Sequence, residues 1–193
     1  NNDESIWDIS KREGIEIPHL CHSNKNGYKP DGNCRACVVE VEGEKTLTAS
    51  CIRKPTKGMK VYTNTFIVKK SQNLILELLL TDQPEIKHKN FQENHFWNTL
   101  NKKKINKSRF LPKNKDYAPN VDQSHPAMTV SLDACIQCGL CIRACRDVQV
   151  NDVLGMSGRG ANSYPVFDMK NPMGESSCVG CGECVQACPT GAL

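Results

Sequence analysis

Eight of the chain's twelve cysteines fall into two runs with one spacing, and no other feature narrows the fold so far. Cys135, Cys138, Cys141 and Cys145 read C-x2-C-x2-C-x3-C, and Cys178, Cys181, Cys184 and Cys188 repeat the pattern before Pro189. Three thiols spaced in this way share one tight loop, whose amide N–H groups point inward at the sulfurs. Gly139, Gly180 and Gly182 lie in those loops, where a missing Cβ lets the backbone approach a bulky group. Past the third cysteine, IRACRDV and VQAC read as helix, which carries the fourth thiol away from the first three.

Disulfides need an oxidising compartment, and neighbouring cysteines in such loops are badly placed to bridge. Zinc sites usually take two C-x2-C pairs and four ligands, whereas each run here crowds four cysteines into eleven residues. The runs resemble the bacterial ferredoxin pattern, in which three cysteines hold one [4Fe–4S] cluster and the fourth ligates its neighbour. Cys135, Cys138, Cys141 and Cys188 are thereby expected on one cluster, and Cys178, Cys181, Cys184 and Cys145 on the other.

The other four cysteines stand as Cys21-x12-Cys34-x2-Cys37-x13-Cys51. A close pair in a Gly-rich loop with one cysteine on each side suits a [2Fe–2S] rhomb, which takes two thiolates per iron. The first gap departs from the plant-type spacing of four residues, and a four-cysteine zinc site is the competing reading. His19 and His22 flank Cys21 and are expected as loop residues, because four thiolates complete the site.

Around these cysteines the local pattern is α+β. Asp3 or Ser5 can cap a helix carrying Ile6, Trp7 and Ile9, with Gly14 placed to end it. VVEVE alternates as a strand, Gly43 turns it, and LTASC and MKVYT supply further short strands. SQNLILELLL predicts a helix from Ser71, its cap, to Leu80, with Pro84 limiting continuation. VLGMSGRG and NSYPVFD read as two strands joined at Gly158-Arg159-Gly160.

Thirteen Gly and ten Pro among 193 residues point to small loop-rich modules rather than one large core. Twelve cysteines without a disulfide framework fit a reducing cytosol, and no apolar run is long enough for a transmembrane helix. The net charge of +4 arises between Asp82 and Pro126, where nine Lys/Arg face five Asp/Glu. This Asn/Lys-rich stretch reads as a solvated linker, not a nucleic-acid surface. No cysteine lies from Ile52 to Ala134, so His88 and His95 are expected to hold no cluster, while Phe91, Phe96 and Trp97 pack the segment down. Arg143 and Arg146 flank Cys145; they either favour a reduced cluster by Coulomb attraction or, the plainer expectation, are solvated or ion-paired on a helix face. No catalytic constellation stands out.

IPHLC, GNCRACVVEVEG, ASC and GMKV resemble the [2Fe–2S] domain opening the large iron–sulfur subunit of respiratory complex I, [FeFe]-hydrogenases and NAD-dependent formate dehydrogenases. That resemblance implies a β-grasp ferredoxin fold whose first hairpin lies upstream of Asn1, so the start, like the end past Cys188, is expected to be truncated. HPAM, LDACIQCGLCIRACRDVQVNDVLGM, the VFD–PMG stretch and SSCVGCGECVQACPTGAL resemble the α subunit of cytoplasmic, NAD-dependent, molybdenum- or tungsten-containing formate dehydrogenases, and the DQPE–FW–SRF–AP linker resembles members of that family lacking a His/Cys3 cluster. It implies a [2Fe–2S] domain over 1–70, a helix and basic linker over 71–126 and a two-cluster ferredoxin module over 127–193. Formate would be oxidised at a downstream bis-pterin metal centre, and the electrons would pass to a flavin/NAD-binding iron–sulfur partner subunit. The alternatives are another pterin oxidoreductase, an [FeFe]-hydrogenase or a free-standing ferredoxin-like carrier.

Overall fold

A computed structural model describes residues 4–84, 94–112 and 121–193; Asp3, His88 and Phe91 lie outside the described residues. Helix α1 (Ile6–Arg12) starts at a capping box: the Ser5 hydroxyl accepts from the Asp8 amide, and the Asp8 carboxylate accepts from the Ser5 amide at 2.9 Å. It buries Ile6 and Trp7, the indole N–H donating to the Ile17 carbonyl at 3.1 Å, and Gly14 follows with φ +73°.

Strand β1 (Val38–Val41) is the centre of a three-stranded antiparallel sheet, flanked by β2 (Thr48–Ala49) and β3 (Val61–Tyr62). Val38 faces Ala49, and Val41 faces Val61. Val39 joins Ile6, Trp7, Ile17, Cys37, Ala49 and Cys51 in one buried cluster, so two of the cysteines are set in this small core.

Helix α2 runs Phe66–Thr81, not from Ser71: the cap is Thr65, whose hydroxyl accepts from the Val68 amide and donates to Glu40 at 2.7 Å. Ser71 sits inside the helix because the buried stripe is Val68, Gln72 and Leu76, one residue per turn and starting a turn earlier. Gln72 obscures that stripe in the sequence. Its amide is satisfied in the interior, donating to the Val38 carbonyl and accepting from the Lys103 ammonium, both at 3.0 Å. The helix stops at Asp82, ahead of Pro84.

The expected solvated linker contains an ordered helix, α3 (His95–Lys103). Phe96 and Leu100 are fully buried with Leu20, Ala36 and Leu76, and Trp97 packs alongside, so this helix fills a third core between the cysteine modules. Asn94 caps it, accepting from the Trp97 amide and donating to the Thr190 carbonyl, while the Phe96 amide donates to the Pro189 carbonyl at 2.9 Å. The basic residues here are partly a helix device: Lys102 and Lys103 lie in the last turn, where cations oppose the helix dipole. Phe96→Ala should destabilise the cluster-loaded protein by about 3–5 kcal/mol. Cluster absorbance should then be lost at lower guanidinium concentration; an unchanged midpoint would mean that α3 bears no weight.

Helix α4 (Leu140–Arg143) continues as a π-helical turn over Ala144–Val148. Strands β4 (Leu154–Ser157) and β5 (Tyr164–Phe167) pair antiparallel with Leu154 opposite Phe167, as expected. They are not joined by a tight Gly158-Arg159-Gly160 turn. The connection takes residues 158–163 and includes a 3-10 turn at Gly160–Asn162, closing so tightly that a Cβ on Gly158 would meet the Asn162 carbonyl oxygen at 2.3 Å. Helix α5 (Glu183–Ala187) packs on α4. No helix among the described residues is long and apolar enough to cross a membrane.

Candidate iron–sulfur centres

Cys21, Cys37 and Cys51 are buried, and Cys34 is half-buried. Cys37 leads into β1 and Cys51 follows β2, so the sheet sets their separation. The Ser50 hydroxyl donates to the Cys37 carbonyl at 2.7 Å, and the Cys34 amide donates to the Cys21 sulfur at 3.3 Å. Hydrogen bonds from the Cys34 and Cys51 side chains pull the Cys21 thiol far down. The same contacts push Cys34 and Cys51 up, and a Cys51 hydrogen bond lowers Cys37 to about 7. The protein's own groups therefore oppose ionising all four thiols together. A positively charged iron core favours it, which is the chemistry these donors fit.

The two later loops repeat one geometry. Gly139 (φ +71°) opens α4 and Gly182 (φ +75°) opens α5, each turning the chain through a conformation that side chains resist. The Gln137 amide donates to the Cys135 sulfur at 3.3 Å, and the Gly180 amide to the Cys178 sulfur at 3.4 Å. Beyond the helices, the Val153 amide donates to Cys145 at 3.4 Å and the Ala192 amide to Cys188 at 3.2 Å. Backbone dipoles thus face sulfur in both loops and beyond both helices, which favours thiolate and negative charge.

The helices then exchange the fourth cysteines. One cavity is lined by Cys135, Cys138, Cys141 and Cys188, with Ile136 and Leu193 in its wall. A second is lined by Cys178, Cys181, Cys184 and Cys145, with Leu154 and Phe167. Burial pushes Cys138 and Cys141 up, and takes Cys184 to about 11, so these thiols too resist ionising without added positive charge. Among the described residues no three His, Cys, Asp or Glu side chains gather at a point where a single ion would sit. The two later sets line cavities instead.

His19 and His22 pack edge-on against the Trp7 ring, at centroid distances of 4.5 and 4.6 Å. Burial takes His19 down to about 4, and His95 donates to its carbonyl at 2.5 Å. The exposed His95 ring also lies beside that of His19, with centroids 4.6 Å apart. Arg146 is exposed and ion-paired with Asp147 at 2.9 Å, as the plainer expectation had it. Arg143 corrects that expectation: it is buried, and its guanidinium donates only to backbone carbonyls, including those of Cys21 and Cys138.

Further contacts between the modules carried no sequence signal. The Tyr28 hydroxyl donates to Glu183 at 2.9 Å, and the Asn33 amide to the Gln137 carbonyl at 2.7 Å. Burial and then Glu183 push the Tyr28 phenol up, keeping it a donor. The Cys21–Cys51 loops are thereby seated on the later cysteine loops.

A family model for a 2Fe-2S iron–sulfur cluster binding domain matches residues 1–65, and one for a 4Fe-4S dicluster domain matches residues 134–192. This is an iron–sulfur, electron-transfer chain. It is 34% identical over 194 residues to the putative formate dehydrogenase YrhE of Bacillus subtilis (strain 168), covering 98% of this chain and 19% of that protein. It is 33% identical over 202 residues to the NADP-reducing hydrogenase subunit HndD of Solidesulfovibrio fructosivorans, covering 98% of this chain and 33% of that one. Against an NADH-quinone oxidoreductase subunit of Rickettsia prowazekii (strain Madrid E), identity is 28% over 163 residues, covering 81% of this chain and 23% of that one. The iron–sulfur chain thus spans about a fifth to a third of the length of these relatives. A crystal structure of an NAD+-reducing [NiFe]-hydrogenase in the H2-reduced state superposes with TM-score 0.85 at 25% identity, over 97% of this chain and 78% of that chain. What these proteins share is an iron–sulfur region of oxidoreductase subunits. Formate dehydrogenase is one name among several.

Proposed function

We propose that the chain is the electron relay of a cytoplasmic, NAD-dependent formate dehydrogenase α subunit, with one [2Fe–2S] and two [4Fe–4S] clusters. Cys21, Cys34, Cys37 and Cys51 would hold the first, in a β-grasp domain over 1–70. Cys135, Cys138, Cys141 and Cys188 would hold the second, and Cys178, Cys181, Cys184 and Cys145 the third, in a bacterial-type module over 127–193, with 71–126 between them free of clusters. The observation that carries this reading is the pair of four-cysteine cavities, each taking one cysteine from the other run. Bound there, such clusters supply one-electron chemistry at potentials that burial and hydrogen bonds to sulfur adjust. The chain's own part is to space the thiolates, to direct the amides of Cys34, Gln137, Val153, Gly180 and Ala192 at sulfur, and to wall the cavities with apolar side chains. Formate oxidation would belong to a molybdenum or tungsten bis-pterin site elsewhere in the protein, and a flavin/NAD-binding subunit would take the electrons.

A second reading, a small electron-transfer subunit or free carrier, is favoured by the hydrogenase chain of which this one covers 78%. One experiment separates them. The natural protein, tagged at its own locus and purified without oxygen, should contain molybdenum or tungsten beside iron and reduce NAD with formate. Iron alone with no formate activity would support the carrier, and hydrogen-dependent reduction would support a hydrogenase.

A further inference from the structure

Arg143 is the one Lys, Arg, Asp or Glu buried among the described residues, at 6% exposure. Its Nη2 donates to the carbonyls of Cys21 at 2.7 Å and Cys138 at 3.1 Å, Nη1 to Lys29 at 2.7 Å, and Nε to Gly139 at 3.3 Å. Two of these carbonyls belong to cysteines assigned to different clusters, and a third to the glycine that opens α4. Arg143 itself ends α4, so one planar fork ties that helix, its loop and the Cys21 loop together.

The charge needs a counter-ion. Among the described residues the arginine ion pairs are those of Arg12, Arg53, Arg109 and Arg146. Carbonyl oxygens satisfy the N–H groups of Arg143 without a direct ion pair, and the Asp147 carboxylate, already paired with Arg146, reaches it only through a longer Coulombic attraction, so a buried charge here gains from a closer counter-charge. Thiolate-ligated iron–sulfur clusters are net negative, and two of them would be anchored by residues in direct contact with this guanidinium.

We propose that Arg143 is a shared positioning residue: it fixes the spacing of the [2Fe–2S] loop and the 135–141 loop, and raises the potentials of both clusters together. The inference rests on the cluster assignment above. Reduction adds negative charge to each cluster, and a buried cation close to both favours the reduced form in both. An exposed arginine at the next turn has no such reach, because water screens it.

The test uses the iron-loaded protein, with wild type, Arg143→Gln, Arg143→Lys and Arg146→Gln followed by EPR during a redox titration. Wild type lacking iron would sink the cluster assignment and is scored apart from the rest. With iron present, Arg143→Gln should shift both midpoint potentials to more negative values and weaken the magnetic interaction between the two spins. Arg143→Lys keeps the charge without the fork, so both potentials should stay near wild type while the interaction weakens. Arg146→Gln should change neither. A shift confined to one cluster, or an equal shift from Arg146→Gln, would overturn the proposal. Should the Gln variant fail to load, the Lys variant decides, and an unchanged spin interaction in it would overturn the positioning role.

Discussion

Cys188→Ser and Cys135→Ser are expected to disturb the same EPR signal, although they lie in opposite cysteine runs. The three-cysteine loop would wrap one side of a cube, and α4 and α5 carry Cys145 and Cys188 across to the other run's cavity. Cys188 lines the cavity of Cys135, Cys138 and Cys141, with its sulfur held by the Ala192 amide. Serine keeps the size of the side chain and replaces a soft thiolate by a poor iron ligand, so each variant should lose or convert one [4Fe–4S] signal. Cys178→Ser and Cys145→Ser should together disturb the other, from the cavity those residues share. If Cys188→Ser instead affected the signal of Cys178→Ser, each run would hold its own cluster. EPR of the dithionite-reduced variants, with iron analysis beside it, reads the result.

Iron removal should have the largest effect of all. The loaded chain should carry about ten irons, two from one rhomb and four from each cube, and negligible zinc. Stripping them under anaerobic chelation should collapse the fold around both later loops at once. Cys138, Cys145 and Cys184 belong to the main buried cluster with Leu140, Leu154, Phe167 and Met173, so their core is built round thiols that a bound cluster would hold in place. Because each cavity takes one cysteine from the other run, neither half should keep its proposed cluster when the other is lost. The Cys21 loop should loosen with them, since Cys21 and Tyr28 are members of the same cluster. Limited proteolysis and circular dichroism before and after chelation would show this. A stripped chain with wild-type resistance to protease would mean that side-chain packing alone suffices, and near-stoichiometric zinc would replace the cluster reading altogether.

The cysteine runs were legible because their spacing is local: three thiols in one loop, a glycine, a short helix, and a fourth thiol. The helix cap, offered as Asp3 or Ser5 and found at Ser5, and the alternation of Val38–Val41 were legible for the same reason. What escaped depends on contacts between distant segments. Gln72 looks polar in the sequence and is buried because Val38 and Lys103 meet its amide. That one residue hid the buried stripe of α2, which starts at Val68, ahead of Ser71. The Lys-rich run 102–104 looked like a linker: Phe96 was expected to pack, but the core that it and Leu100 enter is made by Leu20, Ala36 and Leu76 from elsewhere in the chain. Arg143 resembled a surface arginine because nothing near it in the chain reveals that Cys21 and Lys29 fold over it.

The exchange of fourth cysteines also bears on synthesis. A ribosome adds about 5–20 residues per second, so roughly three to ten seconds separate Cys135 from Cys188. Throughout that interval the emerging chain presents the first loop's three thiols while their proposed fourth ligand does not yet exist. The Pro189 and Thr190 carbonyls that dock α3 are made later still. On the proposed assignment, a complete set of four ligands for the first loop would exist only once the second run has left the ribosome, and until then its thiols would depend on the reducing power of the compartment.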